Sequence, residues 1–122
     1  MYNITTNSWN ISTTLRLPGF RSDFCTVNVG GSIYLAGGYN EGGEHNELLK
    51  LDIETGEWSQ LSPLREDRFR HSCVLQGGVR LIAAGGWYGY GMEYLRDSVE
   101  QYNVISGSII LHIEIRKKKT KI

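Results

Sequence analysis

The sequence predicts an all-β chain made of repeated units of four short antiparallel strands. Three observations predict it. A turn-forming block, Tyr2-Asn3-Ile4-Thr5-Thr6-Asn7-Ser8-Trp9, recurs 49 residues later as Leu51 to Trp58 and 51 residues after that as Tyr102 to Ile109. A pair of apolar segments ending in Gly-Gly occurs twice, at Gly37-Gly38 and Gly85-Gly86, 48 residues apart. No segment carries the apolar spacing of an amphipathic helix: Leu48 to Leu61 alternates as a strand does, and Gly56 interrupts it. Self-similarity at this period is the signature of a repeat architecture.

The turn block joins two strands. Asn3, Asp52 and Asn103 can each accept a hydrogen bond from a backbone N–H two residues on, which starts a turn. Asn7, Gly56 and Gly107 stand where a short hairpin loop requires positive φ. The flanking aromatic or leucine and tryptophan positions then belong to strands that cover a neighbouring sheet. In the second block, Cys25-Thr26-Val27 leads to Ile33–Gly38, and Cys73-Val74-Leu75 leads with equal spacing to Leu81–Gly86. Gly30-Gly31 and Gly77-Gly78 are the expected hairpin turns between those strands. The one complete unit is predicted to hold strands at about Phe24–Val29, Ser32–Ala36, Leu48–Asp52 and Trp58–Leu61. Pro18 and Pro63 fall in the links between units, as befits a residue that cannot donate to a ladder.

Composition narrows the function classes. The chain has 122 residues, 40% hydrophobic and 21% charged, and its 13 basic and 13 acidic residues cancel. Five of the positive charges lie in the final seven residues, Arg116 to Ile122, so the rest carries a net charge of about −5. So short a basic tail, with no interleaved aromatics, reads as a solvated terminus and not as a nucleic-acid-binding element. No apolar run nears the roughly 18–20 residues of a membrane helix, and the N-terminus has no signal-peptide pattern. The expected compartment is therefore the cytoplasm. Cys25 and Cys73 read there as free, buried thiols, and the triplets at Asn3 and Asn10 as chance matches to a glycosylation site.

The repeat, with its Gly-Gly pairs and an aromatic or leucine seven residues before a tryptophan, resembles the kelch repeat. Gly37-Gly38, Leu51 and Trp58 carry the resemblance in one copy, and Gly85-Gly86 and Tyr102 in the next, where Ile109 replaces the tryptophan. Tyr2 and Trp9 match the tail of an earlier copy. The resemblance implies a partial kelch β-propeller of about two and a half four-stranded antiparallel blades. Residues 2–12 would end a preceding blade, 20–61 form a complete blade, 69–115 a second blade with an atypical last strand, and 116–122 the basic tail. Because repeat units bury their faces only against neighbours, further kelch blades are expected to be missing from this chain.

The residues offer little for catalysis. His45, His71 and His112 share no metal-ligand spacing. Gly85 to Gly91 imitates a phosphate loop but lacks the following helix. The reading is thus a non-enzyme with no cofactor and no metal. What remains are loop residues suited to a protein or peptide partner. Tyr39, Trp87, Tyr88 and Tyr90 lie in the spacers after Gly-Gly and supply rigid aromatic contacts. Arg21 and Arg70 recur ahead of the first strand of each unit. By resemblance to kelch adaptors of cullin-based ubiquitin ligases, they would line the substrate-binding end of the channel and read an acidic peptide, their guanidinium groups open to solvent. The resemblance also admits a kelch-type sugar isomerase or an actin- or scaffold-associated protein. It implies no membrane or nucleic-acid partner.

Overall fold

The structure is a computed structural model, and it describes residues 2–3, 8–9, 17, 21–40, 42–89 and 94–114. All regular structure among them is β. In chain order the strands open with β1 (Tyr2–Asn3), β2 (Ser8–Trp9), β3 (Cys25–Val29), β4 (Ser32–Ala36), β5 (Tyr39–Asn40), β6 (Gly43–Glu44) and β7 (Leu48–Asp52). They continue with β8 (Trp58–Leu61), β9 (Ser72–Gln76), β10 (Arg80–Ala84), β11 (Trp87–Tyr88), β12 (Tyr94–Leu95), β13 (Ser98–Asn103) and β14 (Ser108–Glu114). Two four-stranded antiparallel sheets dominate, ordered β3-β4-β7-β8 and β9-β10-β13-β14. Each is a meander in which sequential strands are neighbours, the arrangement of a propeller blade. Two-residue ladders β5–β6 and β11–β12 stiffen the spacers after each Gly-Gly.

The turn chemistry follows from the residues. Asp52 Oδ1 accepts from the N–H groups of Glu54 (3.0 Å) and Thr55 (3.2 Å), and Gly56, at φ 73°, donates its own N–H to the Asp52 carbonyl. Asn103 does the same for Ile105 (2.8 Å) and Ser106 (2.9 Å), with Gly107 at φ 73° closing the turn. A short polar side chain opens each turn and a glycine ends it in the left-handed region, at the predicted positions.

The blade hairpins differ, and the difference has consequences. Val29 pairs with Ser32 across the two residues Gly30-Gly31, whereas Gln76 pairs with Arg80 across three, Gly77, Gly78 and Val79. In the first sheet Cys25 lies opposite Ala36, next to Gly37. In the second, the matching Ala84 lies opposite Ser72, and Cys73 pairs with Ala83. The equal sequence spacing of the two cysteines therefore conceals a one-residue register difference, which turns every side chain of β9 to the opposite face. Cys25 shares a face with Val27, Tyr34 and Ala36, while Cys73 shares one with Leu75, Leu81 and Ala83. These two faces pack together, with Tyr102, Leu48 and Leu64, as one buried cluster. The first strands β3 and β9 lie side by side.

The pairing corrects the expectation of free thiols. Cys25 and Cys73 face each other from adjacent blades, Cα atoms 5.8 Å apart, and form a disulfide. The sheet face turned away from the first blade is open at Val74 (56% exposed) and Ile113 (48%). β14 runs seven residues, with a register irregularity opposite Gln101 and Tyr102. This bulge accompanies the Ile109 substitution noted above. The basic tail and the glycosylation triplet at Asn10 lie outside the described residues.

Within the Gly-Gly pairs, Gly37, Gly38 and Gly86 pass so close to neighbouring backbone that a side chain has no room. A Cβ on Gly86, at φ 89°, would lie 2.6 Å from the Phe69 carbonyl oxygen, while one on Gly31 meets nothing within 4 Å. Gly86→Ala is therefore expected to destabilise the protein by about 2 kcal/mol or more. Gly31→Ala should stay within about 0.5 kcal/mol of the parent. Urea unfolding midpoints of the two variants measure the contrast.

Candidate partner-binding face

Because sequential strands alternate in direction, each sheet sorts its connections to two ends. The hairpins at 30–31 and 77–79 and the turns at 53–56 and 104–107 share one end; the spacers 37–47 and 85–97 and the link 62–71 share the other. All the candidate residues of the described segments lie at this second end. They have different surroundings.

Register settles which arginines correspond. Asp23 (φ 56°) and Arg70 (φ 52°) are the non-glycine residues with positive φ among the described residues, and each stands two residues before its first strand. The Ser22–Tyr39 and Phe69–Trp87 bridges just upstream match in the same way. The partner of Arg21 in the second blade is thus Arg68, and Arg70 corresponds to Asp23. The expected equivalence of Arg21 and Arg70 is corrected accordingly.

Arg68 is fully buried, and both terminal nitrogens of its guanidinium are engaged. It donates to the carbonyls of Gly85 and Ser98 (both 3.0 Å), to Ser98 Oγ (2.9 Å) and to Glu100 Oε2 (2.7 Å), and Glu100 is itself 0% exposed. Its backbone holds the other blade: its N–H donates to the His45 carbonyl (3.2 Å), and its carbonyl accepts from Gly38 (2.9 Å). Glu100 also accepts from the N–H groups of Arg65 and Glu66. Burial alone would raise the Glu66 carboxyl, but the Ser98 hydroxyl, then Arg96 and His112, outweigh it and hold it below its ordinary value. Arg21 is buried as well, 3.6 Å from Glu47, so its guanidinium is not open to solvent as expected.

Arg70 differs. Its side chain is 55% exposed, beside the Phe69 ring at 5.9 Å, and among the described residues its charge contact is Asp23 at a loose 3.5 Å. Its N–H is pinned to the Asp23 carbonyl at 2.8 Å, which fixes where the side chain leaves the surface. Tyr39 is half-buried against Phe69, ring centroids 5.8 Å apart. Trp87 is half-buried and pairs through its backbone with Phe69. Tyr88 is engaged by Tyr94 (5.3 Å) and by the Arg96 guanidinium (3.8 Å), which Asp67 anchors at 2.6 Å. These aromatics mainly pack one loop on another; Tyr94 (47%) and Leu95 (61%) are the outward ones. Tyr90 lies outside the described residues.

Sequence reasoning missed Arg68, Glu100 and the surroundings of His71. One signal for Glu100 was present: it alternates with Ser98 and Tyr102 on the buried face of β13, and a carboxylate there requires a buried cation. His71 has no such signal, because the residues around it come from both blades. Its Nε2 lies 2.9 Å from Cys25 Sγ. Burial, and then the Arg68 charge, push its imidazole down to about 4, against a hydrogen bond to the Ala36 backbone.

Two outcomes follow. Arg68→Ala leaves Glu100 buried without its cation and should lower unfolding stability by about 3–5 kcal/mol. For His71, the unfolded chain binds the extra proton between pH 6.5 and about 4, so its contribution is whole above 6.5 and is lost as pH falls toward 4. His71→Phe, which copies Phe24 at the matching position, should flatten the fall in urea midpoint across that interval. Glu66 acts in the same direction but below pH 4.5.

Comparison with known proteins agrees with the architecture. Residues 21–65, the first blade, match the Kelch motif family model. Kelch domain-containing protein 10 of Homo sapiens is 33% identical over 84 residues, covering 62% of this chain and 18% of that protein. Kelch-like protein 23 of Homo sapiens is 28% identical over 102 residues, covering 84% of this chain and 17% of that protein. The chain thus spans about a fifth of the length of these relatives. With the motif, the relatives and two antiparallel four-stranded blades in agreement, the first blade is a kelch motif and the chain is similar to kelch-repeat proteins over most of its length.

Proposed function

We propose that the spacer end of these blades reads an acidic segment of a protein partner, as the propeller of a substrate adaptor for a cullin-based ubiquitin ligase would. One observation carries the reading. Arg70 is held in a left-handed conformation by a backbone bond to the neighbouring blade, yet its guanidinium is exposed and only loosely countered by Asp23. Non-glycine residues in that region of φ are energetically costly and cluster at functional sites. A ligand carboxylate can displace Asp23 and take a forked pair of N–H donors, a contact that lysine could not reproduce. The half-buried Tyr39, packed on the buried Phe69, forms an apolar floor beside it, and Tyr94 and Leu95 belong to the same end. The ligase role rests on the family resemblance, and the acidic chemistry rests on Arg70.

The test compares two nearby arginines in the full-length protein on an array of acidic peptides and their lysine-substituted counterparts. Arg70→Ala should weaken acidic-peptide capture about 10-fold or more, the worth of one charge-assisted hydrogen bond, with the thermal midpoint nearly unchanged. Arg68→Ala should lower the midpoint. An Arg70→Ala protein that keeps its binding and loses stability would make Arg70 a clamp and remove the proposal.

A further inference from the structure

Among the described residues, two groups bring three metal-ligating side-chain atoms within 4.8 Å of one another: Cys25, His71 and Cys73, and Glu66, Glu100 and His112. The acidic group is already neutralised, because Arg68 lies 2.7 Å from Glu100 and 3.5 Å from Glu66, with Arg96 at 3.8 Å. A metal there would have to displace a buried arginine. The first group has no ion-paired arginine to displace, since the Arg68 charge felt at His71 is held by Glu100 at 2.7 Å, and its thiol and imidazole atoms are soft to borderline ligands.

We propose that, once its disulfide is reduced, the Cys25–His71–Cys73 cluster is a three-ligand site for a thiophilic metal ion such as Zn2+. Two thiolates and an imidazole favour zinc or copper(I) over magnesium or calcium. The geometry is preorganised. His71 Nε2 is 2.9 Å from Cys25 Sγ, and the imidazole fits between the glycine pairs of both blades. A Cβ on Gly37 would lie 2.7 Å from His71 Cε1, and one on Gly86 2.7 Å from His71 Cβ, so any larger residue there would push the ring out of place. The cysteine Cα atoms, 5.8 Å apart, accommodate either state. A disulfide fits that separation. Two 2.3 Å zinc–sulfur bonds at the tetrahedral angle place the sulfurs only about 3.8 Å apart, which side-chain rotation supplies.

The two states exchange stoichiometrically. A thiol reductant such as glutathione provides two electrons and two protons, becomes a disulfide itself, and leaves Cys25 and Cys73 as thiols. The metal then releases the two thiol protons to solvent as the sulfurs bind. The three protein ligands leave one tetrahedral position for water or a small thiolate. Either state ties the first strand of one blade to that of the next, by a covalent bond or through the ion. This assignment does not depend on the peptide-binding reading, since none of its residues is Arg70.

Cobalt(II) titration of the metal-free protein tests it, because thiolate–cobalt charge transfer and tetrahedral d–d absorption report the ligands directly. Reduced protein should take up one equivalent of cobalt with both spectral features, and zinc should displace it. The same protein left oxidised should show neither. Cys73→Ser and His71→Phe should each weaken binding by about 10-fold or more. Reduced protein with two titratable thiols but no thiolate–cobalt band would overturn the proposal. So would a band that survives Cys73→Ser unchanged. Should a variant fail to fold, the comparison of oxidised and reduced parent protein decides.

Discussion

The buried Arg68–Glu100 pair is the constraint on which the packing of the two blades depends. An arginine and a glutamate removed from water lose several kcal/mol of hydration each, and close pairing with extensive hydrogen bonding must offset that. Here the guanidinium reaches two carbonyls, a hydroxyl and a carboxylate in the second blade, while the Arg68 backbone bonds to Gly38 and His45 in the first. The link between blades cannot shift without leaving a charge uncompensated. Its path past Gly37 is so close that the Arg68 carbonyl oxygen fills the space a side chain would need. The Gly-Gly signature and the buried arginine are thus two halves of one contact.

A second constraint is the extra residue in the hairpin at 77–79. Lengthening that turn by one residue reverses the facing of β9 against β10. Cys73 then meets Cys25 across the blade interface, and Val74 is left on the open face. Neither result is a property of the residues themselves. With the shorter turn of the first blade, the same alternation would put Cys73 on the far side of its own sheet.

Local position also divides arginines that look alike. Arg68 and Arg70 are two residues apart in one link, yet the first is wholly buried and the second more than half exposed. The positive φ at Arg70 makes the difference: it turns the chain into β9 and directs the side chain out beside Phe69. Which side chains this end of the blades presents to solvent therefore rests on backbone geometry set by the neighbouring blade.

The repeat was legible from residues alone because its signals are local. Asp52 and Gly56, or Asn103 and Gly107, contain in five residues all that their turns require, and period-2 alternation marks the strands between them. The residues that pack between the blades, Tyr34, Leu48, Leu81 and Tyr102 among them, lie on strands that the repeat located. The pairing of Arg21 with Arg68, the meeting of the cysteines and the position of His71 were not legible. Each depends on which face a strand turns toward its neighbour, and that follows from hydrogen-bond register across a turn, which equal spacing in the sequence does not reveal. Local chemistry specified the blade, and contact between blades decided which polar groups are buried, which are joined and which are left exposed.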